Sequence, residues 1–491
     1  MEIVDIRVVL APFISLLCAA LVFAFGANVF WRRFWSLSAA AVKFGVVVSM
    51  LPGTLRGNVY VYQLVDFTEG IGIAFRADAL GTFFSLISST LWIFTTIYAI
   101  GYMQGDDNRV RFFGFFALCV STTVGIAYAA NMLTLFLFYE MLTICTYPLV
   151  IHAQTPEAFK AGRKYLAYTL TGGACVLVAT VITYNAAGTV ALDRPGILNA
   201  EMGTPTLLAI FALFMIGFGV KAAIMPLHGW LPSAMVAPAP VSALLHAVAV
   251  VKAGAFGILR VIYNIFGVTL LRDLGFTVPL AWLAAFTIIA GSVMALLQTN
   301  LKRRLAYSTI SQLSYIVLGA SLLTPYAATA AIVHIANQAF PKITMFFVAG
   351  AIQKRTGKTR VDELAGIGYQ MPWTMGAFTV AALSFVALPL FAGFITKWYL
   401  SLGALQAGSW WFVVLLLASS LLNAAYWLPI VYAAFFKAPS GEPVPVAKPM
   451  PTLLVPTVIC AAYVIVLGTT AEVPGMPFSL AEAAVHFVFR M

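Results

Sequence analysis

The sequence predicts an all-α polytopic membrane protein with about fourteen transmembrane helices, two inverted five-helix repeats and broken helices 7 and 12. Of its 491 residues, 62% are hydrophobic and 9% are charged, and the mean hydropathy is +0.96. A soluble domain carries about 25% charged residues, so a soluble globular protein is excluded, as are a disordered chain and a disulfide scaffold. Apolar runs reach the ~20 residues that a helix needs to cross a bilayer. Basic residues collect in alternate gaps between these runs.

The apolar runs form about fourteen predicted spans in chain order. They cover residues 6–27, 34–52, 79–102, 112–130, 132–152, 164–187, 206–226, 240–266, 277–297, 304–323, 326–353, 373–400, 409–437 and 452–469. The first run follows an acidic start and lacks a positive leader, so we expect it to be retained as span 1. The polar gap at about 53–78 contains Val59-Tyr60-Val61-Tyr62, whose weak alternation could form a small hairpin.

Lysine and arginine are distributed unevenly between the gaps. The gaps after odd-numbered spans hold sixteen of them, and the gaps after even-numbered spans hold four. By the positive-inside rule, the odd gaps face the cytoplasm and both termini face outward. The formal net charge of +11 is therefore interpreted as an orientation signal, not as a nucleic-acid surface.

The five cysteines lie far apart in the sequence. They form no metal or redox spacing, and the sequence contains no nucleotide-binding loop or pair of haem ligands. We therefore expect no metal, no cofactor and no catalytic redox site in this chain.

Span 5 carries Glu140, the one acid clearly within a predicted span. An ionisable group at mid-bilayer costs a few kcal/mol on insertion scales, so such residues are candidates for function. Thr143 follows three residues later and extends a polar stripe on the same helix face. The alternative interpretation of Glu140 is a structural ion pair.

Spans 7 and 12 each combine a lysine with residues that interrupt a helix. These are Lys221 with Pro226 in span 7, and Lys397 with Pro389 and Gly393 in span 12. His228, a polar residue expected to support the site, follows just after span 7. Broken helices are tolerated where they line a polar cavity. A plain kink, with Lys221 snorkelling to the cytoplasmic side, is the alternative.

These two spans are five apart and run in opposite directions, which predicts an inverted repeat of spans 4–8 and 9–13. The predicted divisions are 1–111 with helices 1–3, 112–266 with the first five-helix repeat, 277–437 with the second inverted repeat, and 452–491 with helix 14 and the C-terminal tail.

Spans 8 and 11 carry further titratable residues. His246 and Lys252 in span 8 are six residues apart, or about 600° around a helix, so they would act at successive depths. His246 could instead be a hydrogen-bonded packing residue. His334, Gln338 and Lys342 in span 11 follow at i, i+4 and i+8 and form one stripe.

Three further polar features have weaker interpretations. In span 10, Ser308 and Gln312 begin a stripe that either holds water or joins helices, with equal weight for both. Lys43 in span 2 has no obvious partner, and snorkelling and function stay open for it. Asp78 lies at the outer edge of span 3 and is interpreted as an interface or helix-start residue.

This inventory favours proton movement. Burial disfavours the charged form of a lysine or a glutamate, whereas a nearby opposite charge favours it. A lysine near a movable carboxylate can therefore be charged in one state and neutral in another. A series of such sites, bridged by water, conducts protons within the membrane.

Four motifs point to a known family. They are Leu-Phe-Leu-Phe-Tyr-Glu140, Trp230-Leu-Pro-Ser-Ala-Met-Val-Ala-Pro-Ala-Pro240-Val-Ser-Ala-Leu-Leu-His246, Val251-Lys252-Ala-Gly254 and Gly393-Phe-Ile-Thr-Lys397-Trp-Tyr-Leu. Together they resemble the antiporter-like subunits of respiratory complex I, membrane-bound hydrogenases and Mrp-type Na⁺/H⁺ antiporters, most of all the D-type subunit of the Mrp antiporters. The resemblance covers roughly spans 3 to 13.

The resemblance implies a role for each titratable residue. Glu140 matches the family's glutamate of the fifth helix and Lys221 its partner in the broken seventh. His246 and Lys252 match the histidine and lysine of the eighth helix. The remaining matches are His334 and Lys342 as the central relay of the second repeat and Lys397 as the terminal lysine. Gln338 stands where the family often has a second histidine, so a water bridge is expected there.

The implied function is proton translocation within a multisubunit complex, with Mrp-type monovalent cation/proton antiport as the first hypothesis. A complex I-like or membrane-bound hydrogenase subunit is the second. A membrane partner that couples proton flow to a CO₂- or bicarbonate-handling enzyme is the third. The expected partners are other antiporter-like and small membrane subunits, the lipid bilayer, protons and a monovalent cation. The expected location is the cytoplasmic membrane of a bacterium or archaeon.

Overall fold

The computed structural model describes residues 1–68, 71–438, 450–473 and 475–489, and these are mostly helical. The first half contains α1 (Arg7–Phe25), α2 (Val29–Leu55), α3 (Ala79–Tyr102), α4 (Arg109–Ala127), α5 (Met132–Val150), α6 (Pro156–Ala187), α7 (Thr204–Lys221), α8 (Trp230–Ser233), α9 (Ala239–Ala247) and α10 (Val250–Arg260). A π-helical turn, Val261–Phe266, extends α10, and α11 (Val268–Leu274) follows.

The second half has the same helical character. It contains α12 (Thr277–Leu297), α13 (Leu301–Ser321), α14 (Pro325–Thr356), α15 (Ile367–Gln370), α16 (Pro372–Val386), α17 (Ala392–Gln406), α18 (Trp411–Phe436), α19 (Pro451–Thr469) and α20 (Pro477–Phe489). Short 3₁₀ turns cover Ala200–Met202, Ala234–Val236 and Val361–Leu364. The long helix α14 is central, because it packs against α3, α9, α13, α16, α17, α19 and α20.

Twelve helical segments in the described part of the chain are long and apolar enough to cross a membrane, when Ala239–Phe266 is counted as one segment. Predicted spans 10 and 12 fall outside these twelve. Span 10 corresponds to α13, which opens with three basic residues, and span 12 corresponds to the two 15-residue helices α16 and α17. The count of fourteen, the inverted repeat and its divisions stay predictions.

A small three-stranded sheet accompanies the mostly helical fold that the sequence predicts. Strand β1 (Glu2–Val4) pairs in parallel with β2 (Val59–Thr68), and β2 pairs antiparallel with β3 (Ile71–Ala77). The hairpin expected in the polar gap is therefore confirmed. The Asn131 amide donates to the carbonyl of Gly72 at 2.9 Å, which ties the sheet to the start of α5. The end of the molecule that carries the sheet is called the sheet side below.

The predicted breaks in helices 7 and 12 are confirmed, with one correction of position. The helix in span 7 ends at Lys221, five residues before Pro226. In span 12, α16 ends at Val386 and α17 begins at Ala392, so the link contains Pro389. Each link contains an alanine whose backbone has the left-handed conformation. These are Ala223, with φ 56°, and Ala387, with φ 70°. Such backbone geometry costs about 1–3 kcal/mol per residue and occurs mostly at functional sites.

A third break was not predicted. Span 8 divides into α9 and α10, and Ala249 between them has φ −89° and ψ −92°. The rotation calculated for His246 and Lys252 along one continuous helix was therefore wrong. Neither Val248 nor Ala249 is proline or glycine, so the local sequence carries no sign of this break.

Candidate functional site

Glu140 and Lys221 meet where α5, α6 and α7 pack together. Glu140 is partly exposed, and its Oε1 is buried with no hydrogen-bond partner among the described residues. A Cβ on Gly173 of α6 would lie 2.0 Å from this Oε1, so the close approach requires glycine. Lys221 is 0% exposed and lies within electrostatic range of Glu140.

Tyr139 holds the Lys221 side chain beside the acid. The ammonium of Lys221 donates to the Tyr139 carbonyl and lies 3.3 Å from the centroid of its ring. The Tyr139 hydroxyl in turn donates to the carbonyl of Gly217 in α7 at 3.0 Å. Between Glu140 and Lys221 themselves there is no ion pair within 4.0 Å. Lys221 therefore contacts Tyr139, the residue before Glu140, and not the carboxylate itself. The cation–π contact with the Tyr139 ring stabilises the charge of the ammonium.

The link after Lys221 is held by side chains that replace the missing helical bonds. Trp230 Nε1 donates to the Val220 carbonyl at 2.7 Å, which pairs a group that the helix end leaves free. His228 is partly buried, with its ring 6.2 Å from that of Tyr307. Pro226 is exposed. Thr143, expected to support Glu140, is buried and donates to the Tyr139 carbonyl at 3.4 Å.

The helix that carries Lys252 packs directly against the break in helix 7. A Cβ on Gly254 would lie 2.3 Å from the Ala222 backbone nitrogen, so this contact also requires glycine. Lys252 is 0% exposed, and its Nζ has no hydrogen-bond partner in the described part of the chain. His246 is equally buried, both of its ring nitrogens are unpartnered there, and its ring lies 4.7 Å from that of Phe346 in α14.

Lys342 in α14 begins a chain of hydrogen bonds that leads to α18. Its ammonium donates to Ser308 Oγ at 2.9 Å, and Ser308 Oγ lies 3.1 Å from the Tyr426 hydroxyl. Tyr426 donates to Asn423 Oδ1. Lys342 also lies 4.3 Å from the centroid of the Phe385 ring. The ammonium therefore has a neutral hydroxyl and an aromatic face as its partners.

His334 lies about two turns earlier on the same stripe of α14 and connects α14 to α17. Its Nδ1 lies 3.2 Å from Thr396 Oγ1, and its ring lies 5.3 Å from that of Tyr315. His334 is 3% exposed and lies within electrostatic range of three lysines. These are Lys252, Lys342 and Lys397. This histidine is therefore coupled electrostatically to lysines on α10, α14 and α17.

Lys397 lies just after the break in helix 12 and is partly buried. Its ammonium donates to Ser420 Oγ at 2.6 Å and to the Phe385 carbonyl at 3.2 Å. The Gly393 backbone N–H donates to Ser384 Oγ at 3.0 Å and so connects the two half-helices. Pro389 is exposed in the link.

Two predicted supporting residues are buried amides with free hydrogen-bonding atoms. Neither the oxygen nor the nitrogen of the Gln338 amide has a partner within the described residues, and the same holds for Gln312 Nε2. Buried polar atoms are normally paired with protein or with ordered water. These positions are therefore suited to hold water between His334 and Lys342.

Sequence reasoning missed the polar stripe of α18. Ser419, Asn423 and Tyr426 follow at i, i+4 and i+7, the spacing of Ser308, Gln312 and Tyr315 in α13. The two stripes run antiparallel, because Ser308 pairs with Tyr426 while Tyr315 donates to Ser419 at 2.6 Å. The spacing test that found the first stripe would have found the second.

Lys43 lies apart from this arrangement, within the contacts of α2 and α3. It is 0% exposed, its Nζ lies 4.1 Å from the centroid of the Trp92 ring, and it has no hydrogen-bond partner in the described residues. The structure thus excludes snorkelling for Lys43, one of the two interpretations left open.

The fold and the site define a class: a polytopic membrane protein with titratable side chains placed inside its helix bundle. Residues 129–423 match the family described as "NADH:quinone oxidoreductase/Mrp antiporter, TM", and residues 68–113 match "NADH-Ubiquinone oxidoreductase (complex I), chain 5 N-terminus". The chain belongs to this antiporter-like subunit family, as the sequence motifs predicted.

Individual relatives come from several kinds of complex. The chain is 32% identical over 466 residues to NADH-quinone oxidoreductase subunit N of Desulforudis audaxviator, covering 90% of this chain and 91% of that one. It is 27% identical over 430 residues to the D-type subunit of the Na(+)/H(+) antiporter of Alkalihalophilus pseudofirmus, covering 87% and 86%. Among solved structures, a chain of an archaeal membrane-bound sulfane sulfur reductase matches with TM-score 0.90, 25% identity and 99% coverage of both chains.

Proposed function

We propose that this chain is a proton-translocating subunit of a multisubunit membrane complex that exchanges a monovalent cation for protons. The observation that carries the proposal is the burial of titratable groups inside the helix bundle. Lys221, His246, Lys252 and Lys342 are each 0% exposed. Ionisable residues within membrane spans are expensive and mark ion or proton paths.

The first step uses Glu140 and Lys221. The Lys221 ammonium is held on the Tyr139 carbonyl, close to the carboxylate but not paired with it. A rotation of either side chain would form the ion pair and favour the charged form of the lysine. Separation of the pair would release a proton towards the next group. The absence of a Cβ at Gly173 lets the carboxylate occupy its starting position against α6.

The middle of the path runs through Lys252, His246 and His334. The Lys252 amine and the His246 nitrogens have no partners among the described residues, so water bridges supply their hydrogen bonds in this proposal. His334 lies within electrostatic range of Lys252 and Lys342. Because glutamine does not titrate, Gln338 holds water rather than a proton.

The last step leads from Lys342 and His334 to Lys397. The chain through Ser308 and Tyr426 ends at the Asn423 carbonyl oxygen, which accepts the Tyr426 hydroxyl and passes no proton on. We therefore assign that chain to holding Lys342 in place. The route to Lys397 passes His334, Tyr315 and Thr396 instead.

The test removes the charge of Glu140 but keeps its shape. In everted membrane vesicles that contain the assembled complex, Glu140→Gln abolishes proton movement, and assembly is unchanged. The matched control is Glu157→Gln, because Glu157 is an exposed acid at the start of α6. Full proton movement by the assembled Glu140→Gln variant would remove Glu140 from the mechanism.

A second candidate function is a redox-driven proton pump of the complex I or membrane-bound hydrogenase type. The 32% identity to an NADH-quinone oxidoreductase subunit favours it. Identification of the chains that co-purify with this one decides between the candidates. Small antiporter subunits support the first, Fe–S or Ni–Fe subunits the second, and a zinc hydrolyase-like chain supports coupling to a CO₂- or bicarbonate-handling enzyme.

A further inference from the structure

A cavity of about 120 Å³ opens at the sheet side, where the start of α3, the end of α10, α14 and α20 meet. Its polar lining includes Thr54, Arg76, Asp78, Arg260 and Tyr263, and Ala484 of α20 forms part of its apolar wall. A cavity of this size holds several water molecules. None of these residues belongs to the titratable groups of the candidate site, which are called the charged series below. The charged series consists of Glu140, Lys221, His246, Lys252, His334, Lys342 and Lys397.

The floor of this sheet-side cavity is a buried ion pair. Arg260 is 1% exposed and donates to both oxygens of Asp78, at 2.6 and 2.8 Å. Asp78 also accepts the Gly81 backbone N–H at 2.8 Å and caps α3, which agrees with the helix-start interpretation, one of the two given for it. Burial alone would raise the pKa of Asp78, but the Arg260 guanidinium and the Gly81 N–H together hold it below its ordinary value. The carboxylate is therefore ionised at neutral pH.

Three residues of the cavity wall also carry buried hydrogen-bond donors. Arg76 Nε, Arg260 Nε and the Tyr263 hydroxyl are buried with no partner among the described residues. Buried donors of this kind are normally satisfied by ordered water. The cavity is large enough for several water molecules, and its polar groups, chiefly the Asp78–Arg260 pair, occur within a mostly apolar wall.

A single stripe on α10 connects this cavity to the charged series. Lys252, Phe256 and Arg260 follow at i, i+4 and i+8, so each lies about 6 Å above the last on the same face. The Arg260 guanidinium carbon lies 5.0 Å from the centroid of the Phe256 ring. Phe256 stacks on Phe84 of α3, with centroids 4.9 Å apart and an interplanar angle of 24°. Both rings are fully or almost fully buried.

We propose that the sheet-side cavity is the mouth through which protons pass between Lys252 and the adjacent aqueous side, and that the Phe84–Phe256 pair is the gate between them. This proposal rests on the proposed function. By the predicted orientation, the sheet side faces outward. The opening leads to Lys252 directly, without passing Lys342 or Lys397.

Two features support the gate, the stacked Phe84–Phe256 rings and the ion pair of Asp78 and Arg260. Hydrophobic constrictions block conduction because water leaves them, and a stacked aromatic pair is such a constriction. Beyond it, the ion pair of Asp78 and Arg260 fixes the floor of the cavity. Passage therefore requires the rings to separate so that water joins Lys252 to the cavity.

The first test measures passive proton influx into liposomes that contain the purified complex, with an imposed pH gradient and no driving reaction. Phe256→Ala removes the ring, so we expect influx to rise about tenfold, which corresponds to a barrier lower by ~1.4 kcal/mol. Phe256→Leu keeps apolar bulk and should restore low influx. Phe116→Ala removes an equally buried stacked ring from α4 and should leave influx unchanged. Unchanged influx in an assembled Phe256→Ala complex would overturn the gate.

The second test does not depend on removing the ring. A charged, membrane-impermeant thiol reagent, added from the sheet side, should label Ala484→Cys and stop driven proton movement. The unsubstituted complex, treated in the same way, controls for the five native cysteines. Failure to label the Ala484→Cys variant, or full transport after complete labelling, would contradict a hydrated mouth. Glu140→Gln in the same liposomes tests the proposed function separately, since it stops driven movement without opening a passive leak.

Discussion

Lys221 and Lys342 are both fully buried lysines, but their surroundings differ in charge. Lys221 ends α7 at a helix break, whereas Lys342 lies within the continuous helix α14. Lys221 lies in electrostatic range of an acid, and it contacts a backbone carbonyl and an aromatic ring. Lys342 donates to a serine hydroxyl and faces two aromatic rings, and its electrostatic neighbour is another lysine. Within the described helices, only the first half therefore offers a carboxylate that balances its lysine.

This difference assigns different tasks to the two halves. A buried ammonium without a counter-charge is costly, because burial removes its hydration and a neutral hydroxyl replaces little of it. Lys342 is therefore better suited to pass a proton on than to keep one. Lys221 can keep its proton whenever Glu140 approaches. The predictions below test this contrast, from the largest expected effect to the smallest.

The largest effect is expected for Lys221→Gln. This change removes the only described lysine within range of Glu140 and leaves the carboxylate without its counter-charge. Proton movement should be lost in vesicles that contain the assembled complex. If Lys342→Gln abolished transport while Lys221→Gln retained most of it, the division of tasks between the halves would be wrong.

A large effect is also expected for Gly173→Ala. The new Cβ would lie 2.0 Å from Glu140 Oε1, so the carboxylate must move away. Because the helix gains propensity from the change, the fold should tolerate it. Transport should fall about tenfold, equivalent to ~1.4 kcal/mol, with normal assembly. The comparison variant is Gly188→Ala, at the cap that follows the end of α6. A Cβ there would meet nothing within 4 Å, but the backbone has a φ of 69°. It should affect stability rather than transport.

A smaller effect is expected for Tyr426→Phe, which cuts the chain that holds Lys342. The net worth of one buried hydrogen bond is about 1 kcal/mol, so transport should fall by less than tenfold. Ser308→Ala should have the same effect, and the double variant should add little, because both changes break one chain. Fully additive losses in transport rate would show that Ser308 and Tyr426 act independently.

The smallest effect is expected for Lys43→Met. This residue is buried against Trp92 and away from the charged series. Replacement of a buried charge by an apolar side chain of similar length is often neutral or stabilising. Transport should stay near the unsubstituted level, and the unfolding temperature of the complex should be equal or higher. A loss of transport comparable to that of Lys221→Gln would place Lys43 in the path.

Most of the candidate site could be predicted because charged residues are rare in apolar spans. Glu140, Lys221 and Lys252 stand out from their neighbours, and the structure buries the lysines as expected. The α18 stripe was missed because serine, asparagine and tyrosine carry no charge, so they stand out only through their spacing at i, i+4 and i+7. The contacts of Tyr139 were missed because they depend on how α5 meets α7.

The sequence by itself determined the membrane class, the family, the positions of most helices and the residues that carry charge into the bundle. These follow from local properties: apolar length, the cost of a buried charge, and proline in a helix. Tertiary structure alone decided that Lys221 rests on Tyr139 rather than on Glu140, that helix 8 breaks at Ala249, and that Phe256 separates Lys252 from a sheet-side cavity. Those outcomes depend on close packing between helices distant in sequence, where a glycine or one ring decides which atoms can meet.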